Sequence, residues 1–114
     1  MLEVEEIFES ASQATGSLAG VFEFDGETGY FYLYETEAPD EQKIVGSILI
    51  FRDVPDVSGM EIAIRWDRQE RRVGLFINDQ LWAVFDSVSG EKFGGDYRPN
   101  TAANISPDVA ACFQ

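Results

Sequence analysis

Val73-Gly74-Leu75-Phe76-Ile77-Asn78-Asp79-Gln80-Leu81-Trp82-Ala83-Val84-Phe85-Asp86 is the stretch on which the fold turns. Two apolar runs flank the polar break Asn78-Asp79-Gln80, a pattern that suits a hairpin better than a helix. The preceding segment agrees. From Met60 to Trp66 the side chains alternate, with Met60, Ile62, Ile64 and Trp66 on one side and Glu61, Ala63 and Arg65 on the other. That is the signature of a half-buried strand. Asp67 to Arg71 reads as a charged turn, and Arg72 to Ile77 as a strand with Val73, Leu75 and Ile77 inward. Leu81 to Phe85 returns, with Trp82 and Val84 on one face and Leu81, Ala83 and Phe85 on the other. An antiparallel meander over residues 60–86 follows. Trp66, at the end of the apolar stripe, is expected in the core.

Upstream, Leu18 to Phe24 and Tyr30 to Glu35 form the arms of a first hairpin around Asp25-Gly26-Glu27-Thr28-Gly29. Asp-Gly is a turn signal, because glycine accepts positive φ and the Asp side chain bonds nearby amides. Positive φ is expected at both Gly26 and Gly29. In the second arm Tyr30, Tyr32 and Tyr34 share one face, and Phe31 and Leu33 the other. Residues 36–43 read as a charged loop broken by Pro39, and Ile44 to Phe51 as a buried strand, although a helix starting near Asp40 is also allowed. Arg52 to Gly59 reads as an exposed loop. Residues 1–17 are the ambiguous part. Val4, Ile7, Phe8 and Ala11 have helical spacing, which favours a helix, yet Glu5 to Ser10 also fits an edge strand. Residues 87–100 are glycine-rich and irregular, and Ser106-Pro107 can cap and start a short helix through Phe113. The expectation is a mainly β chain: an antiparallel sheet or small sandwich of about six strands, with short terminal helices, in a single compact domain over residues 1–114.

Charge is the most distinctive feature of the composition. The 114 residues carry 21 acidic and 8 basic side chains, a formal net charge of −13. Residues 1–42 hold 11 of the acidic groups and no Lys or Arg, leaving 10 acidic and 8 basic in residues 43–114. Nucleic-acid binding needs a basic stripe to neutralise phosphates, so it is disfavoured. Attraction to an anionic membrane is disfavoured for the same reason, and no run is long enough to span a bilayer. A basic protein partner is allowed, and an acidic field would speed the encounter. No basic region followed by an apolar block marks a secretory signal at the N-terminus, and the lone Cys112 makes no internal disulfide. A cytoplasmic setting is therefore expected.

The same inventory removes most chemistry. With no histidine there is no imidazole acid or base, no Ser-His-Asp arrangement and no His-based zinc site. Cys112, between Ala111 and Phe113, has no neighbouring base in sequence. Glu23, Asp25 and Glu27 crowd the first turn, but their spacing does not match a calcium loop. Gly26 and Gly29 lack the lysine and helix of a phosphate loop. Arg65, Arg68, Arg71 and Arg72 are the main basic cluster, best read as ion-paired locally. No cofactor, no metal and no catalytic residue is expected.

Residues 21–32, Val-Phe-Glu-Phe-Asp-Gly-Glu-Thr-Gly-Tyr-Phe-Tyr, resemble a Phe-Glu-Asp-Asp-Gly-Glu-Thr-Gly-Tyr-Phe-Tyr signature of a family of small uncharacterised bacterial proteins. Ile64-Arg65-Trp66-Asp67, Gly74 to Asp79 and Ala83 to Asp86 are similar to a second region of that family. Phe24 stands where the signature carries an acidic residue, and the C-terminal third departs from it. The resemblance implies a shared fold and no reaction.

These readings converge on a non-catalytic, protein-binding or regulatory protein with an acidic surface, of the immunity or inhibitor kind, directed at a basic partner. The candidate contact residues are Glu23, Glu27, Tyr30, Tyr32, Tyr34, Glu35 and Glu37. The alternative is a small-ligand or carbohydrate-binding β-sandwich that uses the tyrosines for stacking. Oligomeric state is left open, a dimer included.

Overall fold

The computed structural model describes residues 6–52, 57, 59–98, 101 and 103–114. In chain order the strands are β1 (Ile7–Ser12), β2 (Leu18–Phe24), β3 (Thr28–Glu35), β4 (Ile44–Arg52), β5 (Ile62–Trp66), β6 (Arg72–Ile77), β7 (Gln80–Asp86) and β8 (Lys92–Gly94). They form two four-stranded antiparallel sheets, β1-β2-β3-β4 and β5-β6-β7-β8, so each sheet is a simple meander. A 3-10 turn (Asp40–Gln42) precedes β4, and α1 (Pro107–Ala110) runs into a 3-10 turn (Ala111–Phe113).

The inner faces of the two sheets build one core from Phe22, Phe31, Ile50, Val73, Leu75, Phe85 and their neighbours. Phe31 of β3 meets Phe85 of β7 with ring centroids 5.1 Å apart. The sheets approach closely where β2 carries Gly20: a Cβ there would lie 2.6 Å from Val73 Cγ2. Polar ties reinforce one end. Trp66 Nε1 donates to the Ala11 carbonyl at 2.8 Å, and Gln13 Nε2 to the Glu70 carbonyl at 2.7 Å. After β8 the chain lies along β4: the Asp96 and Tyr97 amides donate to the Leu49 and Ile50 carbonyls at 3.3 and 2.7 Å. Lys92 Nζ reaches the Ser47 carbonyl at 3.2 Å.

Strands β2 to β7 stand where the sequence places them; β4 takes the apolar run from Ile44 as a strand rather than a helix, but its first residues Ile44 and Val45 are exposed, not buried. The count of about six is corrected to eight: β1 realises the edge-strand alternative to the favoured helix, and β8 lies in a stretch read as irregular. The helix expected near the N-terminus is replaced by β1, while residues 1–5 lie outside the described part. Six backbone pairs with β2 and the docking of Ile7 on the core outweigh the helical spacing of Ile7, Phe8 and Ala11. β8, within the stretch read as irregular, is held by its pairing with β7. Of the exposed loop expected over 52–59, Arg52 instead ends β4 and Val57 is buried in the core, and residues 53–56 and 58 lie outside the described part. α1 starts with Pro107 at its first turn as expected, and the Ser106 carbonyl, not its hydroxyl, takes the Val109 and Ala110 amides.

Two finer expectations are also corrected. Gly26 has φ +99, but Gly29 does not share the left-handed region: it is a strand residue whose missing side chain leaves room for Phe22 and Phe51. In β7 an extra residue interrupts the pairing, with Leu75 opposite Ala83 and Phe76 opposite Leu81. The bulge turns Trp82 toward the core beside Ala83 and Phe85, and leaves Leu81 on the outer side with Phe76.

The Asn78-Asp79 turn has φ of +50 and +66, the two-residue hairpin geometry in which glycine is preferred at the second position. Asn78 is tied in place, since its Oδ1 accepts the Glu61 amide at 2.9 Å. Asp79→Gly should therefore raise stability by up to about 1 kcal/mol, read as a higher melting temperature.

Candidate functional site

Residues directly opposite in an antiparallel pair point to the same face, so the register lays out the outer surface of the first sheet. Across the strands, one row reads Phe8, Glu23, Tyr30, Leu49; the next Ser10, Val21, Tyr32, Ser47; the third Ser12, Ala19, Tyr34, Ile44. The inward set of β3, Phe31 and Leu33, is buried, while Tyr30, Tyr32 and Tyr34 are each half-buried. Tyr30 and Tyr32 stack, with centroids 5.7 Å apart and planes 16° from parallel. At the far end Lys43 Nζ lies 5.9 Å from the Tyr34 ring centroid. Phe8, Ile44 and Val45 are 65, 54 and 56 % exposed, and Glu23 and Ser47 are exposed as well. Among the described residues, no segment covers this face.

The second sheet is different. Its outer side carries Phe113 against Phe76, with ring centroids 5.7 Å apart, and a Cβ on Gly74 would meet the Phe113 ring at 3.0 Å. The Arg65 guanidinium lies 4.1 Å from the Phe76 ring centroid. The C-terminal segment thus closes one outer face, and the first sheet keeps the other bare.

Of the seven residues singled out in the sequence, the structure brings Glu23, Tyr30, Tyr32 and Tyr34 onto that face. Glu27 stands exposed in the adjoining turn. Asp25 Oδ1 in that turn accepts the amides of Glu27 and Thr28 at 2.9 and 2.8 Å. The Thr28 and Glu27 amides hold the Asp25 carboxyl below its ordinary range. Glu35 and Glu37 are not part of the same cluster. They lie at the opposite end of β3, where Glu35 Oε1 takes the Glu37 amide at 3.2 Å and Lys43 Nζ bonds the Thr36 carbonyl at 2.7 Å. Partial burial, then the charges of Glu23, Tyr30 and Asp25, pushes the Tyr32 phenol above its usual range. An open hollow of about 500 Å³ adjoins the Glu23 corner, lined by Glu6, Ile7, Phe8, Glu23, Phe24 and Asp25.

Sequence reasoning missed Phe8, Val21, Leu49 and Ile44 as members of this face. Alternation within β1 would have found Phe8, since Ile7 packs inward. Leu49 and Ile44 depend on the β3–β4 register, which is shifted at Gly29/Tyr30 and at Leu33/Tyr34.

The basic cluster has a structural duty. Asp86 is fully buried and accepts Arg71 Nε at 3.0 Å, Arg72 Nε at 3.1 Å and the Val88 and Ser89 amides at 2.9 Å each. Burial works against its charge, but the Ser89 amide, Arg71, the Val88 amide and Arg72 together hold its carboxyl far below the usual range. Arg72 also donates to Cys112 Sγ at 3.1 Å, which fastens the C-terminal segment. Among the described residues, no group of three or more His, Cys, Asp or Glu side chains is placed to hold a metal ion. No described helix is long and apolar enough to cross a membrane.

Fold and face define a small all-antiparallel β protein with two four-stranded sheets, one covered on its outer side and one bare. The chain belongs to DUF2251, a family described as an uncharacterized protein conserved in bacteria, whose match spans residues 2–106. No curated protein and no solved structure matches it.

Proposed function

We propose that this protein acts by holding a basic protein partner on the outer face of its first sheet, without catalysis, in the manner of an immunity or inhibitor protein. The observation that carries the reading is the bare grid of Phe8, Tyr30, Tyr32, Tyr34, Leu49 and Ile44 around Glu23. Exposed aromatic and aliphatic area supplies contact energy, and the surrounding carboxylates select the partner's sign. The carbohydrate-binding alternative has less support. Trp82 is 2 % exposed within the core, and the Trp66 indole is engaged with Ala11, so neither offers a stacking platform beside the tyrosines.

Joint replacement of Glu23, Glu27, Glu35 and Glu37 with Gln tests the charge. With a basic protein recovered from a bacterial host, affinity should fall by well over the roughly 0.5 kcal/mol scatter of ordinary surface substitutions. Binding should also weaken as salt rises, while the free protein melts at the same or a higher temperature through relief of like-charge repulsion. Unchanged affinity across the salt series and in the fourfold variant would sink the reading.

A further inference from the structure

The bare face is not uniform, and its two ends differ in how cations meet aromatic rings. At the Tyr34 end the chain supplies its own cation, Lys43. At the other end the stacked Tyr30–Tyr32 pair has no Lys or Arg over it among the described residues, although Glu23 stands directly across the strand pair from Tyr30. We infer that this corner is the seat of an arginine side chain of the partner, its guanidinium lying on the Tyr30–Tyr32 pair and its N–H groups on the Glu23 carboxylate.

The inference rests on the docking face proposed above and names what is read there. A guanidinium suits the corner better than an ammonium, because a planar cation stacks on a ring and offers a two-pronged donor edge to a carboxylate. The fold itself holds one guanidinium over a ring, Arg65 at 4.1 Å from the Phe76 centroid on the outer side of the second sheet, while Arg72 and Lys43 stand farther off, each 5.9 Å from Phe93 and Tyr34 respectively. The open hollow beside Glu23, lined among the described residues by Ile7, Phe8 and Phe24 as well, adjoins this corner. Glu6 and Asp25 on the same hollow extend the negative potential without crossing the tyrosines. Farther along, Tyr34 and Ile44 offer apolar contact to whatever follows it.

The probe is N-acetyl-arginine amide, titrated into the whole protein at low ionic strength and followed by amide chemical shifts. N-acetyl-lysine amide and the uncharged, isosteric N-acetyl-citrulline amide serve as comparisons. Saturable shifts centred on Glu23, Tyr30 and Tyr32, strongest for arginine and absent for citrulline, are expected. Glu23→Gln and the pair Tyr30→Leu, Tyr32→Leu should each weaken binding about three- to fivefold, with melting temperatures reported alongside. The inference is overturned if citrulline binds equally, if shifts spread evenly to Glu35, Glu37, Asp40 and Glu41, or if folded variants bind as the parent does. An arginine probe that fails beside a partner still weakened by Tyr34→Ala removes this seat and keeps the face. A partner indifferent to every substitution on the sheet removes the face itself.

Discussion

Asp86→Ala is expected to destabilise the protein by about 3–5 kcal/mol, the cost of removing one member of a buried ion pair and stranding the rest. Five hydrogen bonds converge on this carboxylate from Arg71, Arg72, Val88 and Ser89. Arg72 lies directly opposite it at the end of the β6–β7 register, so the loss would loosen that end of the inner strand pair and free the grip on Cys112. Chemical denaturation measures the effect. Acid does the same work more gradually. The folded carboxyl is depressed, so its stabilisation is complete above the ordinary carboxylate pKa, near 3.9, and is lost as pH falls below it. Asp86→Asn should flatten that acid limb while leaving the profile near neutrality level. Removing Arg71 alone should cost less, because its side chain is 46 % exposed and Arg72 still faces the carboxylate.

Phe31→Ala and Tyr32→Ala, one residue apart, should give opposite outcomes. Phe31 is fully buried between the sheets against Phe85, and truncation there should cost about 3–5 kcal/mol, a large share of the roughly 5–15 that a domain commonly has. Tyr32 points out of the same strand. Its truncation should leave unfolding nearly cooperative and unshifted by comparison, and should appear instead as lost partner affinity. If Tyr32→Ala unfolds the protein as readily as Phe31→Ala, the outer face is structural and the docking proposal fails.

Much of this was readable from residue order, and the limits are physical. Strands β2, β3, β5, β6 and β7 announce themselves through alternation or through Asp25-Gly26 and Asn78-Asp79, which are local signals, whereas β4 is a continuous apolar run whose period leaves a helix open. β1 does not announce itself either, because Ile7, Phe8 and Ala11 fit a helix period, and only pairing with β2 decides the matter. β8 is three residues long and ends in Gly94, whose φ is +81, so nothing local marks it. The tyrosine face was legible for the same reason β3 was. Its apolar neighbours on β1 and β4 were not, since cross-strand adjacency is set by register and by bulges. Nor could sequence show that the Arg71-Arg72 pair converges on one buried carboxylate: Arg71 lies before β6 begins, which frees it from strict alternation.

The cover along β4 has a consequence for life at high concentration. A naked apolar sheet face next to an open strand edge is the combination from which β proteins grow into fibrils, the edge templating new strands and the face zipping them together. Here the carbonyls of Ser47, Leu49 and Ile50 are already taken by Lys92, Asp96 and Tyr97. Polymerisation along that stretch would first have to peel away the chain after β8, which is anchored by Tyr97 packing edge-on against Trp82 at 4.8 Å. A formal charge of −13 also sets copies to repel one another, which works against growth along this edge.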